Sequence, residues 1–178
     1  ARVFSGANDI GQGSSTMLAV IVSEELGLEL ADIRVVSADS DLCPVDLGAY
    51  SSRITLMVGN ACVEAAQKLR KQVITHVAAK WEIPARRVNL VRGQAVDMED
   101  PQRCLSLAEA FVLAETAEGL LSAVGNYNTT QEAQLFFEKG ARFRTGKAHR
   151  RGRDIGILAL HPVDQRLDEM RRGQKRIA

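Results

Sequence analysis

Residues 3–27 leave the chain little choice of local structure. Val3-Phe4 reads as the end of a strand, Ser5-Gly6-Ala7-Asn8-Asp9 is a cluster of turn formers, and Gly11-Gln12-Gly13 punctuates the chain again. From Ser14 or Ser15 as N-cap, the apolar positions Met17, Leu18, Ile21, Val22 and Leu26 follow helical spacing until Gly27 supplies a C-cap. A glycine-rich turn between a strand and a helix gathers backbone N–H groups at the positive end of the helix dipole, where an anion is favoured. Gln12, Ser14 and Thr16 add side-chain donors. The same residues also fit an ordinary turn before a capped helix. No Lys follows Gly13 and no third Gly completes the turn, so neither familiar nucleotide phosphate loop is present.

A second polar helix start follows about forty residues later. Ile33 to Ser37 reads as a short β-branched strand, and residues 38–52 form a long connection without periodicity, of the kind that often carries function. It closes on Gly48-Ala49-Tyr50-Ser51-Ser52-Arg53-Ile54-Thr55, which offers hydroxyls, amides and a cation able to hold phosphate through two nitrogens. The alternative for these residues is a helix capped by Ser51 or Ser52 beside a solvated Arg53. Two such ends could face one elongated anion such as a pyrophosphate.

From about Thr55 to Lys80, Leu56, Val63, Ala66, Leu69, Val73 and Val77 recur along one side of a core helix. Within it, the small residues of Val58-Gly59-Asn60-Ala61 would admit a neighbouring backbone. Val88 to Val91 and Gln94 to Asp97 form a hairpin across Arg92-Gly93, Ser106 caps a helix running to about Glu115, and Leu120 to Val124 is one more strand. This order predicts an α+β domain, a layered mixed sheet with helices.

Charge divides the chain where this pattern stops. Residues 1–130 hold 11 Lys and Arg against 16 Asp and Glu, whereas residues 131–178 hold 12 against 6. We therefore read residues 1–127 as the domain and residues 128–178 as an atypical basic tail, expected to be frame-shifted or disordered. Cys43, Cys62 and Cys104 are widely spaced and form no metal motif, which suits reduced thiols in a cytoplasmic protein. No apolar run approaches a membrane span. The chain opens on Ala1 with a strand already under way, which reads as a start inside a longer protein.

Val3 to Ser14, Ala38-Asp39-Ser40-Asp41 and Gly48 to Arg53 through Val58-Gly59-Asn60-Ala61 together resemble the molybdopterin-binding large subunit of the xanthine dehydrogenase and aldehyde oxidase family. The Tyr-Ser-Ser-Arg and Val-Gly-Asn-Ala blocks are most similar to the 4-hydroxybenzoyl-CoA reductase alpha subunit. The resemblance covers about residues 1–127. It implies that Gln12, Gly13, Ser14 and Thr16 contact the pterin and its phosphates, and that Ser51, Ser52, Arg53 and Thr55 hold the pyrophosphate or nucleotide of a molybdopterin cytosine dinucleotide carrying molybdenum. It further implies a small aromatic or aldehyde substrate and an oligomer with an iron–sulfur subunit, bearing [2Fe–2S], and a flavin subunit, bearing FAD. The family's catalytic Glu lies in a segment this chain does not contain. No residue is assigned here as catalytic or as a metal ligand, and Asp9, Asp39, Asp41 and Asp46 are read as turn-stabilising acceptors. The competing expectation is a non-catalytic α/β binding module whose tail, with Lys147, Arg150, Arg151 and Arg153, recruits a polyanionic partner. Without interleaved aromatics or a nucleic-acid motif, nucleic acid is not the expected partner.

Overall fold

The computed structural model describes residues 1–46 and 48–127 together with the backbone of residues 157–158. Most of the predicted basic tail, Lys147 to Arg153 included, therefore lies outside the described residues. Strand β1 (Arg2–Ser5) leads through the glycine turn into helix α1 (Ser14–Leu26), and the chain returns as β2 (Arg34–Ser37), parallel to β1 with Val3 opposite Val35. Strands β3 (Val88–Val91), β4 (Gln94–Asp97) and β5 (Cys104–Ser106) make a separate antiparallel sheet. Helices α2 (Gly59–Trp81) and α3 (Leu107–Glu118) and strands β6 (Ala123–Val124) and β7 (Ile157–Leu158) complete the elements. The first sheet has the order β2-β1-β7-β6, parallel in its first pair and antiparallel in the other two. The α+β expectation holds.

Helix α2 is the hub, packed against α1 and α3 and touching both sheets. Leu69, Val73 and Val77 recur every four residues and are fully buried, as are Leu18, Val22 and Leu26 of α1. Alanines 61, 65 and 66 keep the α2 surface low where neighbours approach. The expected close approach of a backbone falls there: a side chain at Gly125 would overlap the carbonyl oxygen of Ala61, so only glycine fits beside α2.

Hairpin β3–β4 turns through Arg92 and Gly93, both in the left-handed region as a two-residue hairpin turn requires, and the Gly93 N–H donates to Gly27 O at 2.7 Å. One bond thus joins the hairpin tip to the end of α1. Ser106 caps α3 as expected, and Glu109 returns the bond to make a reciprocal box, beyond the single cap expected. Buried Asp97 receives Arg87 at 3.0 and 2.6 Å and the Glu99 N–H at 3.0 Å, which fixes the exit of β4.

Three boundaries differ from expectation. Neither Ser14 nor Ser15 is the cap of α1: Gly13 holds the N-cap position in the left-handed region, and the side-chain acceptor comes from Asp9. Neither Ser51 nor Ser52 caps the long helix, since both are left-handed and the helix opens as a π-turn, Ile54–Val58, that runs into α2. The strand expected over Leu120 to Val124 is only Ala123–Val124, because Leu121 is buried in the core just after the end of α3.

Candidate functional site

Helices α1 and α2 lie side by side in the same direction. Met17 and Ile21 flank Gly59, the Cys62 thiol points to Leu18 O at 3.9 Å, and farther along Glu25 meets Gln67 and Arg70. Because residue number rises along both helices together, both positive ends open at one end of the domain. The loop before α2 is brought to the loop before α1 by Gly6, where any side chain would overlap Pro44 O and crowd Asp46. The two polar helix starts identified in the sequence are therefore neighbours.

Each end already contains a carboxylate. Asp9 accepts the N–H groups of Gly11 and Gly13 on Oδ1, at 3.0 and 3.3 Å, and that of Ser15 on Oδ2 at 3.1 Å. These bonds, that of Ser15 first and that of Gly11 next, hold its carboxyl below the ordinary value of 3.8. The glycine turn is thus organised around an internal anion. Gln12 closes the same turn, its Oε1 accepting from Ile10 N at 2.7 Å and its Nε2 donating to Asn8 O and Ser14 Oγ at 2.9 and 3.2 Å. Ser14 is buried, Gly13 is half-buried, and Thr16 is exposed. In the first turn of α1 the N–H groups of Ser14 and Thr16 have no intrahelical acceptor.

At the second end Asp46 takes Arg53 Nη1 on both oxygens, at 2.9 and 3.0 Å, and Gly48 O accepts from the same nitrogen at 3.0 Å. The Tyr50 ring lies 5.6 Å from the guanidinium carbon. Arg53 is 6% exposed, so neither a solvated arginine nor one free to clamp phosphate through both terminal nitrogens describes it. Its Nη2 is buried and, among the described residues, has no hydrogen-bond partner. A buried N–H without an acceptor is costly and points to a missing anionic or polar group. Its neighbours in the chain Ser51, Ser52 and Thr55 are exposed.

The structure thus brings all eight sequence-identified positions to one end of the parallel helices, but in two roles. Thr16, Ser51, Ser52 and Thr55 are exposed, whereas Gln12, also exposed, builds the turn with Gly13 and Ser14, and Arg53 is buried with its Nη2 unpartnered among the described residues. Asp9, Asp39 and Asp46 act as the turn acceptors expected; Asp39 receives the N–H groups of Asp41 and Leu42 at 2.9 and 3.2 Å. Sequence reasoning missed the ion pair of Asp46 with Arg53 and the ring of Tyr50 beside it. Their separations of seven and three residues in an irregular loop carry no periodic signal. Among the described residues no cluster of His, Cys, Asp and Glu suits a metal ion, and no helix is long and apolar enough to cross a membrane.

A βαβ start whose helix end is paired with a second, parallel helix end is an arrangement that favours an anion. Residues 1–147 match the molybdopterin cofactor-binding domain family, and the chain belongs to it. The match runs past Tyr127, where the resemblance read from the sequence stops. The chain is 36% identical over 141 residues to the xanthine dehydrogenase molybdenum-binding subunit of Escherichia coli O157:H7, covering 76% of this chain and 19% of that protein. It is 38% identical over 78 residues to the carbon monoxide dehydrogenase large chain of Afipia carboxidovorans, covering 44% of this chain and 10% of that one. The crystal structure of the Cu,Mo-CO dehydrogenase superposes on 59% of this chain and 13% of that chain with a TM-score of 0.54 at 28% identity. Quinoline 2-oxidoreductase from Pseudomonas putida 86 does so on 65% of this chain and 14% of that chain, with a TM-score of 0.57 at 22% identity, a likeness of fold. The chain spans about a fifth of the length of the xanthine dehydrogenase subunit it matches.

Proposed function

We propose that the paired ends of α1 and α2 hold the phosphate-bearing part of a molybdopterin dinucleotide within a molybdenum-dependent oxidoreductase of the xanthine dehydrogenase family. The observation that carries this reading is the buried Nη2 of Arg53, unpartnered among the described residues, at a pair of parallel helix starts whose other polar residues include exposed hydroxyls. A phosphate oxygen is the acceptor that this donor lacks, and the fit of the residues to the group rests on it.

Thr16, Ser51, Ser52 and Thr55 donate hydroxyl hydrogens to phosphate oxygens, and Arg53 donates through Nη2. Asp9 keeps the N–H groups of Gly11, Gly13 and Ser15 for the turn, so Gln12, Gly13 and Ser14 shape the first end, and Gln12 reaches a ligand only by giving up one of its turn bonds. When bound, the molybdenum and pterin supply the redox chemistry, and this chain supplies position and electrostatics.

The finer reading follows from the sequence blocks. The Tyr-Ser-Ser-Arg and Val-Gly-Asn-Ala segments favour the cytosine dinucleotide form and an enzyme of the 4-hydroxybenzoyl-CoA reductase kind, acting on a small aromatic or aldehyde substrate. Iron–sulfur and flavin subunits, carrying [2Fe–2S] and FAD, would pass its electrons in the cytoplasm. The relatives include xanthine and carbon monoxide dehydrogenases, which supports the oxidoreductase class rather than one substrate. Apart from Ile157–Leu158, which pair in the first sheet, residues 128–178 we read as an atypical basic tail, whose reading frame is best checked on the coding DNA.

The test is the molybdenum, pterin and cytidine monophosphate released by acid from the protein purified out of cells that make the cofactor. Equal amounts of all three are expected. A protein free of pterin would exclude the reading, and guanosine or no nucleotide in place of cytidine would exclude only the cytosine form.

A further inference from the structure

We propose that Asp46 is the positioning residue of this anion site, holding Arg53 by Nη1 so that the buried Nη2 is kept for a phosphate oxygen. The proposal rests on the reading of Arg53 as a phosphate donor and adds the residue that aims it. The Asp46 side chain is 2% exposed, and both of its oxygens are on Arg53 Nη1. Oδ1 also accepts the Gly48 N–H at 2.7 Å, which anchors the carboxylate to its own loop. Gly48 O completes the hold on Nη1, and the ring of Tyr50 lies against the guanidinium. Three acceptors on one nitrogen and a ring on the group leave the planar guanidinium no rotation that keeps these contacts. Nη2 is buried and is left without a partner among the described residues.

Position begins farther back, at Gly6. The loop carrying Pro44 and Asp46 presses on Gly6 at the end of β1, so the carboxylate is referenced to the sheet rather than to a free loop. The pair is also formally neutral. Attraction of a ligand therefore comes from the N–H groups of Nη2, from hydroxyls and from helix ends, and not from a net positive charge.

That distinction gives a test in which two accounts predict opposite signs. Asp46→Asn removes a negative charge beside an anion site, so charge alone predicts tighter binding of an added anion. Positioning predicts weaker binding, by about tenfold or more, because the guanidinium loses its charged anchor. Inorganic pyrophosphate titrated calorimetrically into the full chain is the probe. Arg53→Lys keeps a cation for Asp46 but has no second nitrogen, and should lose binding with the fold intact.

If the Asp46→Asn variant binds as tightly as the parent or tighter, the positioning role is overturned while Arg53 stays as the donor. An Arg53→Lys variant that binds as the parent does, or a parent chain that does not bind pyrophosphate, would overturn the phosphate-donor reading and the proposal with it. If Asp46→Asn does not fold, the parent chain decides the matter through the nitrogen resonances of Arg53. A held guanidinium gives two separate Nη signals before any ligand is added, and pyrophosphate shifts one of them. A single averaged signal would overturn the proposal.

Discussion

At the scale of single residues, environment separates groups that look alike in the sequence. Burial, reinforced by the charge of Glu25, pushes the Cys62 thiol up to about 12, whereas Cys104 is exposed at the start of β5. A thiol reagent at neutral pH should modify Cys104 within the native fold and reach Cys62 only after unfolding, as mass spectrometry of the labelled peptides would report. Asp9 is set apart by the three backbone N–H groups that it accepts. Its native value is depressed, so its stabilisation is complete above the ordinary carboxylate value of 3.8 and is lost as pH falls below that, through the lowered native value. Asp9→Ala leaves three turn N–H groups without their acceptor. The variant should be less stable than the parent at neutral pH, and the difference should shrink on acidification, which urea midpoints measured down the pH scale would check. An equal deficit at every pH would count against this role.

At the scale of elements, what the sequence discloses depends on where the information lies. Helix α1 ends at Gly27 and the hairpin turns at Arg92-Gly93 as expected, because left-handed backbone has a local signature in residue type. The start of α2 has none. Its π-turn and the left-handed Ser51 and Ser52 belong to a loop held by Gly6, Asp46 and Arg53, contacts between residues far apart or irregularly spaced. A two-residue β6 in place of a five-residue strand has a similar cause, since burial of Leu121 takes part of the apolar run into the core. Packing around α2 gives two stability predictions. Leu69→Ala should cost about 2–5 kcal/mol, as for other large-to-small changes in a closed core. Gly125→Ala should cost roughly 1–3 kcal/mol, since the added methyl overlaps Ala61 O and the α2 backbone must yield. Chemical denaturation of both variants would read these values, and an unchanged midpoint for Gly125→Ala would mean that the close approach is not rigid.

At the scale of the whole molecule, the site is a consequence of helix direction. The sequence supplies two polar helix starts and a family likeness, but the parallel run of α1 beside α2 is decided by Met17 and Ile21 packing over Gly59 and by Glu25 meeting Gln67 and Arg70. Neither contact is periodic in one element, so the joining of the two starts could be suspected but not read. The division of labour within the site was equally hidden: both turns carry their own carboxylate, which leaves hydroxyls and one arginine nitrogen for a ligand. A map of backbone amide shifts in the nitrogen-15-labelled full chain, titrated with cytidine diphosphate, asks whether the two helix ends share one anion. Thr16, Ser51, Ser52 and Thr55 should shift together and saturate at one ligand concentration; shifts confined to the basic residues from Lys147 to Arg153, or two ends that saturate independently, would contradict a single shared anion site.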